Sequence, residues 1–450
     1  MAEIANYKVA AAPHKADGAS TRRIMLDVLI ALLPCLVCGV LFFGLYSLLL
    51  VVLSCAACFA SEQIFNLIRK KPLTFDLSAL VTGVILGLNL PPRAPWYLPL
   101  IGGVFAIVIV KMLFGGLGKN FANPAATARV FLLLAYSTAM TQYIGADISG
   151  NMLSADLVTA PTYLGGGTAA LAGSFLGVEG YWGNVLQMLF GYMGGSIGET
   201  CKLAVLAGGA YLIFRRVIDW RIPAVYLLTA AVMVLACYQS ASEILLQLLS
   251  GGLLFGAVFM ATDYATSPKW TYNRILYAVG LGVITVLIRR FGSYPEGTSL
   301  AILIMNLLVP VMDHYILPVR FGQLTKKGRP RPAVMVWCMR GLCIAMAAAL
   351  LVGVPLVQYT EVPVRGGTYS YVSAVSRNLD GSYKFTVKGG AYIMDGYTQQ
   401  LEFIVTLDGK GETVEDVEPV TQSTMGYTAE LSFFEGQSYE DILARTDLGT

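Results

Sequence analysis

The sequence predicts an all-α polytopic membrane protein of about ten transmembrane helices containing an inverted repeat, then an eleventh transmembrane helix and a small β-rich extracytoplasmic domain. Three observations carry this. Hydrophobic residues make up 56% of the 450 and charged residues only 13%, against roughly 25% charged in a soluble domain. Apolar runs long enough to cross a bilayer recur along the chain. The net charge of +3 is also unevenly divided: residues 1–360 hold 25 Lys and Arg against 14 Asp and Glu, whereas residues 361–450 hold 6 against 14. The two parts are built for different solvents.

Residues 1–23 are polar and mildly basic with no cleavable apolar core, so this segment is expected in the cytoplasm. Spans follow near 24–43, 46–67, 76–91, 96–114, 127–140, 201–214, 223–239, 243–262, 274–288, 298–317 and, after a cytoplasmic linker at 321–333, 334–358. The main membrane domain is thus 24–320. The apolar stretch 185–193 is too short to cross and reads as interfacial or re-entrant.

Lys and Arg in short loops mark the cytoplasmic side. An inside N-terminus gathers Arg69-Lys70-Lys71, Lys119, Arg215-Arg216 with Arg221, Lys269 with Arg274, and residues 320–331 there, leaving Arg93 and Arg289-Arg290 outside. The same parity exports the loop 141–182 and the tail 359–450. Segment 77–133 also matches, in pattern, one about 176 residues further on, with Pro92 on Pro268 and Gly116 on Gly292. The predicted topologies of the two copies are opposite, and such repeats commonly place a binding site at their interface.

Three polar clusters interrupt the apolar pattern. Gly115-Gly116-Leu117-Gly118-Lys119-Asn120-Phe121-Ala122-Asn123-Pro124-Ala125 offers Lys119, Asn120 and Asn123 for anionic or carbonyl oxygens; as a tight membrane-surface turn it needs only a snorkelling Lys. Asp263 and Thr266 lie where an apolar helix meets the cytoplasmic face, as a cation or cofactor contact or as a solvated helix end. Ser196 and Glu199 precede a helix beginning near Cys201, suited to capping it or to receiving a phosphate at its N-terminus.

Cys35, Cys38, Cys55 and Cys58 sit on the first two spans, as small buried residues or as ligands of an iron–sulfur cluster. Lys111 and Arg340, cations in apolar runs, are expected to snorkel toward cytoplasmic ends. No phosphate-binding loop, Ser-His-Asp set, zinc spacing or nucleic-acid-binding stripe occurs, so no metal site or nucleic-acid partner is expected.

Gly-Gly-Leu-Gly-Lys-Asn followed by Asn-Pro-Ala, then Gly194-Gly195-Ser196-Ile197-Gly198-Glu199-Thr200, then Met260-Ala261-Thr262-Asp263-Tyr264-Ala265-Thr266-Ser267-Pro268, occur in order. Together they resemble the NqrB/RnfD family, and within it the RnfD branch of the Rnf ion-translocating oxidoreductase more closely. The resemblance implies FMN joined through its phosphate to a Thr closing a Ser/Thr-Gly-Ala-Thr motif on the outer side. Asp156-Leu157-Val158-Thr159-Ala160-Pro161-Thr162 stands in the corresponding place, with Thr159 and Thr162 at the hydroxyl positions and Ala160 and Pro161 departing from the motif. It further implies a flavin transferase, a second noncovalent flavin such as riboflavin, the RnfA, RnfB, RnfC, RnfE and RnfG proteins as partners, and a bacterial inner-membrane location. The expected function is coupling of ferredoxin/NAD electron transfer to Na⁺ or H⁺ translocation; a small-solute channel or transporter built on the repeat is the alternative.

After residue 360 the segments 383–387 and 400–407 read as strands, with Asp408-Gly409-Lys410-Gly411 as a turn. One span followed by this pattern, with Gly396-Tyr397 and Gly426-Tyr427, resembles the first part of RnfG without its flavin motif. An unrelated exported β domain is the other reading.

Overall fold

A computed structural model describes residues 20–145, 162–166, 171, 174–238, 240–292, 297–315, 338, 340–352 and five strand segments between 361 and 419. The chain forms two compact units, one of residues 1–237 with 242–347 and one of 238–241 with 348–450.

The first unit begins with a helical hairpin. Ser20 caps α1 (Thr21–Phe43) by accepting from the Arg23 amide at 3.3 Å. Gly44, at φ 80°, turns the chain into α2 (Leu45–Ile68). Then come α3 (Ser78–Leu88), α4 (Tyr97–Met112) and α5 (Pro124–Ala135). A short hairpin of β1 (Ser174–Phe175) and β2 (Val178–Glu179) leads into α6 (Gly180–Phe190). The series closes with α7 (Lys202–Phe214), α8 (Arg221–Tyr238), α9 (Ala241–Leu249), α10 (Leu253–Met260), α11 (Thr271–Phe291), α12 (Thr298–His314) and α13 (Arg340–Val352).

Among the described residues each of the eleven apolar segments overlaps one of these helices, but their lengths differ from the even set that hydropathy predicts. Among the described residues α1, α2, α8 and α11 suffice by length and composition to cross a membrane, and α9 with α10, bent by 63°, forms either a broken fifth span or a re-entrant loop. The others are shorter because polar breaks interrupt them: α3 stops at Asn89, and α5 starts only at Asn123. Outward faces are apolar, with Leu33, Val37, Val52, Ile64 and Leu113 all more than half exposed, as lipid contact demands. The chain is a polytopic membrane protein.

Small residues let these helices approach closely. A Cβ at Gly83 of α3 would lie 2.6 Å from the Cys55 Cα, and one at Gly87 2.8 Å from that of Val51, so a Gly-x-x-x-Gly stripe seats α3 on α2. Both helices leading into the motif loops end in π-helical turns, Phe105–Met112 before residues 115–125 and Gly256–Met260 before 261–268. Such turns widen a helix and recur at functional sites. The order α3, α4, α5 is answered by α10, α11, α12 at the displacement read from the sequence.

Lys111 corrects an expectation. It is 1% exposed and does not snorkel: its Nζ donates to Glu62 Oε1 at 2.7 Å and to Ser78 Oγ at 2.6 Å. An acid on the facing helix α2 gives the ammonium a nearer partner than the membrane surface does. Arg340, by contrast, is exposed.

In the second unit five antiparallel strands run in the order β3 (Glu361–Val362), β4 (Val372–Arg377), β5 (Tyr383–Ile393), β6 (Tyr397–Leu407) and β7 (Val414–Pro419). The sheet is built around the β5–β6 pair, in register from Tyr383↔Leu407 to Ile393↔Tyr397. The turn at 408–411 lies outside the described residues.

Lys111→Met, which strands the Glu62 carboxylate in the interior, is expected to lower stability by about 3–5 kcal/mol, and Lys111→Met/Glu62→Leu to recover most of it. Thermal unfolding in detergent, followed by circular dichroism, checks both; equal melting of the single variant and wild type would refute the assignment.

Candidate functional site

The loop between α4 and α5 folds back on itself through Gly115, Gly116 and Gly118, whose φ values of 117°, 93° and 81° are open to glycine and strained for other residues. It delivers Asn123 to the start of α5. There the Asn123 Oδ1 accepts from the Ala125 and Ala126 amides at 3.0 and 3.1 Å, and its Nδ2 donates to the Met260 carbonyl at 3.0 Å. Asn123 is therefore a helix cap and a strut between the two motif loops. Asn120 differs: its buried Oδ1 has no hydrogen-bond partner among the described residues. Lys119 is exposed and lies along Gly115.

Asn120, Asn123 and Asp263 share one cleft, together with Thr82, Lys111 and Thr262. Two sequence motifs more than a hundred residues apart thus close on a single space. Asp263 is not the solvated helix end of the simpler reading. Packed among protein atoms though partly exposed by surface area, it accepts from Thr266 Oγ1 at 3.0 Å, and burial pushes its carboxyl above the ordinary carboxylate range against that hydrogen bond. Tyr264 beside it donates to the Val217 carbonyl.

A second constellation lies where helices break. Residues 191–201 leave α6 and lie beside the end of α3, with the Ile197 amide donating to Leu90 O at 3.1 Å and the Gly198 amide to Leu88 O at 2.8 Å. Only glycine fits at 198, because a Cβ there would come within 2.6 Å of the Leu88 Cβ. This approach carries Ser196 and Glu199 to Arg129 on α5. The Arg129 guanidinium donates to Glu199 Oε1 at 2.5 Å, to Asn89 Oδ1 at 2.8 Å and to Ser196 Oγ at 3.2 Å.

Glu199 and Ser196 therefore do not cap α7. Cys201 takes the cap position without a side-chain bond, because the acid and hydroxyl are turned to the guanidinium. Lys202, fully buried, donates to the carbonyls of Glu199 and of Gly251, the latter at 2.7 Å. Arg289, also buried, donates to Gln247 O at 2.6 Å and to Ser250 O at 3.0 Å, so one of the three arginines that depart from the basic-loop pattern is packed within the protein rather than lying in a loop.

Thr162 stands at the start of a short turn, residues 163–166, and is only 7% exposed. Its hydroxyl is therefore not an open one. Its neighbour Tyr163 donates to the Glu243 carboxylate at 2.9 and 2.8 Å. Leu164 packs on Gly251, where the Arg289 guanidinium also lies within reach. Asp156 and Thr159 lie outside the described residues.

The four cysteines of α1 and α2 are not brought together as a cluster. Cys55 donates to the Leu80 carbonyl at 3.9 Å and Cys58 to that of Gly103 at 3.8 Å, on different helices, and no group of three metal-ligating side chains forms among the described residues. Sequence reasoning missed Arg129, Lys202 and Asn89. The available signal was a cation within an apolar run, which it read at Lys111 and passed over at Arg129.

Comparison with known proteins bears on this arrangement. A profile of the NQR2, RnfD, RnfE family matches residues 8–322. Among curated proteins, the chain is 43% identical over 313 residues to the D component of the Na⁺-translocating ferredoxin:NAD⁺ oxidoreductase complex of Acetobacterium woodii, covering 69% of this chain and 93% of that one. It is 36% identical over 322 residues to the proton-translocating counterpart of Clostridium ljungdahlii, covering 70% and 96%. To the D component of the ion-translocating oxidoreductase complex of Stutzerimonas stutzeri it is 37% identical over 341 residues, covering 69% and 94%.

Two outcomes follow from the geometry. Arg129→Gln, which leaves Glu199 buried without its cation, is expected to cost about 3–5 kcal/mol, read as loss of folded, monodisperse protein on size-exclusion chromatography. For Asp263, the raised carboxyl means the folded state holds its proton more tightly than the unfolded chain. That stabilisation is full below the ordinary carboxylate value and is lost as pH rises through the raised one. Relative to Asp263→Asn, wild type is therefore expected to gain melting temperature as pH is lowered from neutral; a pH-independent difference would contradict this.

Proposed function

Because the chain belongs to the NQR2, RnfD, RnfE family, we propose that it is the RnfD-type membrane component of an Rnf complex that couples electron transfer between ferredoxin and NAD⁺ to Na⁺ or H⁺ translocation. The observation that carries this, beside the relatives' names, is that the Asn120 and Asp263 motifs close on one cleft with a buried, unpartnered amide oxygen. In this reading the chain lies in a bacterial inner membrane with its N-terminus cytoplasmic and about ten crossings, and works only with RnfA, RnfB, RnfC, RnfE and RnfG.

Flavin supplies the one- and two-electron chemistry when bound. Thr162 would hold FMN through a phosphoester, with Asp156 and Thr159 completing the motif that a flavin transferase reads. The nearby Arg289 cation, beside Gly251 and Leu164, suits a phosphate. Since Thr162 is buried, the transferase must act before the 163–166 turn packs or while it is open. The cleft, at about 80 Å³, is too small for a second, noncovalent flavin such as riboflavin unless the two motif loops part; were they to do so, Asn120 would offer an acceptor and Asp263 a carboxyl inclined to keep its proton. Lys119, Ser196 and Glu199 are not needed to hold it: the first faces outward, and the other two bond Arg129. Residues 334–450 are read as a fused span and partial RnfG module that lacks a flavin motif.

Coexpression with a flavin transferase, denaturing electrophoresis and in-gel fluorescence test the attachment. Wild type is expected to fluoresce and Thr162→Ala to lose the signal entirely. Fluorescence that persists in Thr162→Ala would move the site elsewhere, and a dark wild type would favour a solute channel instead.

A further inference from the structure

At one end of the first unit two helices begin beside one cleft, α8 at Arg221 and α11 at Thr271, and α13 passes it at Arg340 and Ile344. Both α8 and α11 turn the positive end of their dipoles toward that end of the unit. Arg221 and Arg340 line the cleft and add formal charge. Asp219 lies 2.7 Å from Arg274 but 3.6 Å from Arg221, so one carboxylate serves two guanidiniums.

A second observation is independent of charge. Tyr272 lines the cleft, is 6% exposed, and its hydroxyl has no hydrogen-bond partner among the described residues. Buried phenols are normally bonded, so this one is placed for a group that comes from outside. The rest of the wall is apolar, with Val225 and Leu228 of α8, Ile275 of α11 and Ile344 of α13. Trp220 and Ile344 are 57% and 69% exposed, so the groove opens sideways to where lipid lies. Its volume of about 510 Å³ is that of a small-molecule site.

We propose that this cleft binds an anionic phospholipid of the bilayer, its phosphate against Arg221, Arg340 and the Tyr272 hydroxyl and an acyl chain along the apolar wall. Basic pockets between transmembrane helices recognise anionic head groups in this way. The apolar wall argues for lipid over free phosphate, which would leave that surface wet. The proposal does not depend on flavin attachment.

The test uses the full chain in mild detergent, titrated with phosphatidylglycerol or phosphatidylcholine and weighed by native mass spectrometry. Phosphatidylglycerol is expected to stay bound where phosphatidylcholine does not. Arg221→Gln/Arg340→Gln is expected to weaken it about thirtyfold, from about fivefold per cation, and Tyr272→Phe about fivefold. Since the Tyr272 hydroxyl makes no internal bond among the described residues, Tyr272→Phe should melt as wild type does, separating lost binding from lost folding. Equal retention of both lipids, indifference to the double substitution, or displacement of the lipid by millimolar inorganic phosphate would each overturn the proposal. Covalent flavin fluorescence on the same sample reports separately on the redox assignment.

Discussion

Arg129 and Glu199 are joined where α3 ends, α5 runs past and the irregular segment 191–201 enters the helical unit. Within lipid no water satisfies a broken helix, so each orphaned backbone group and each charge needs a protein partner. The guanidinium has the geometry for this, because its fork reaches Glu199, Ser196 and Asn89 at once. Replacing such a pair by hydrocarbon is often harmless to stability, whereas removing one partner is not. What the pair supplies is registry: it fixes which residue of 191–201 meets the end of α3.

From this junction bonded contacts extend in both directions. Asn89 also meets the Met260 sulfur at 3.8 Å, and the Met260 carbonyl accepts from Asn123, which caps α5 at the edge of the motif cleft. On the other side the Glu199 carbonyl accepts from Lys202, Lys202 bonds the Gly251 carbonyl, and Gly251 packs on Leu164, two residues from Thr162. The cleft and the threonine are thus connected by an unbroken series of contacts. Contiguity is not coupling, but it names the elements that would have to move together if occupancy at one end were felt at the other.

Much of the membrane unit was legible in the sequence because apolar length is a local property: among the described residues, the segments named from hydropathy overlap helices. The motif cleft was legible as two loops but not as one place, since nothing local says that residues 120 and 263 meet. Buried charges were the least legible. Arg129 and Glu199 are 70 positions apart and Lys111 and Glu62 are 49 apart, so neither pair leaves a helical spacing to read. Snorkelling was the inference for Lys111 only because its acid lay on another helix. Glu199 looked like a cap for the same reason, its cation being out of local view. The burial of Thr162 was not legible either, and the partner of the adjacent Tyr163, Glu243, is 80 positions away.

The charges also bear on which function the unit can serve. Arg129, Lys202 and Glu199 sum to one excess positive charge, and every one of them is bound by side chains or carbonyls. An open pore for cations would have to pass this plug, and like charge in a medium of low dielectric repels at short range far more strongly than in water. A free channel through the junction is therefore disfavoured by the same contacts that hold it together. An open cation path through the junction would require this bonded set to rearrange. What these contacts disfavour is an open cation pore at this junction, in a solute channel and in a redox-driven pump alike.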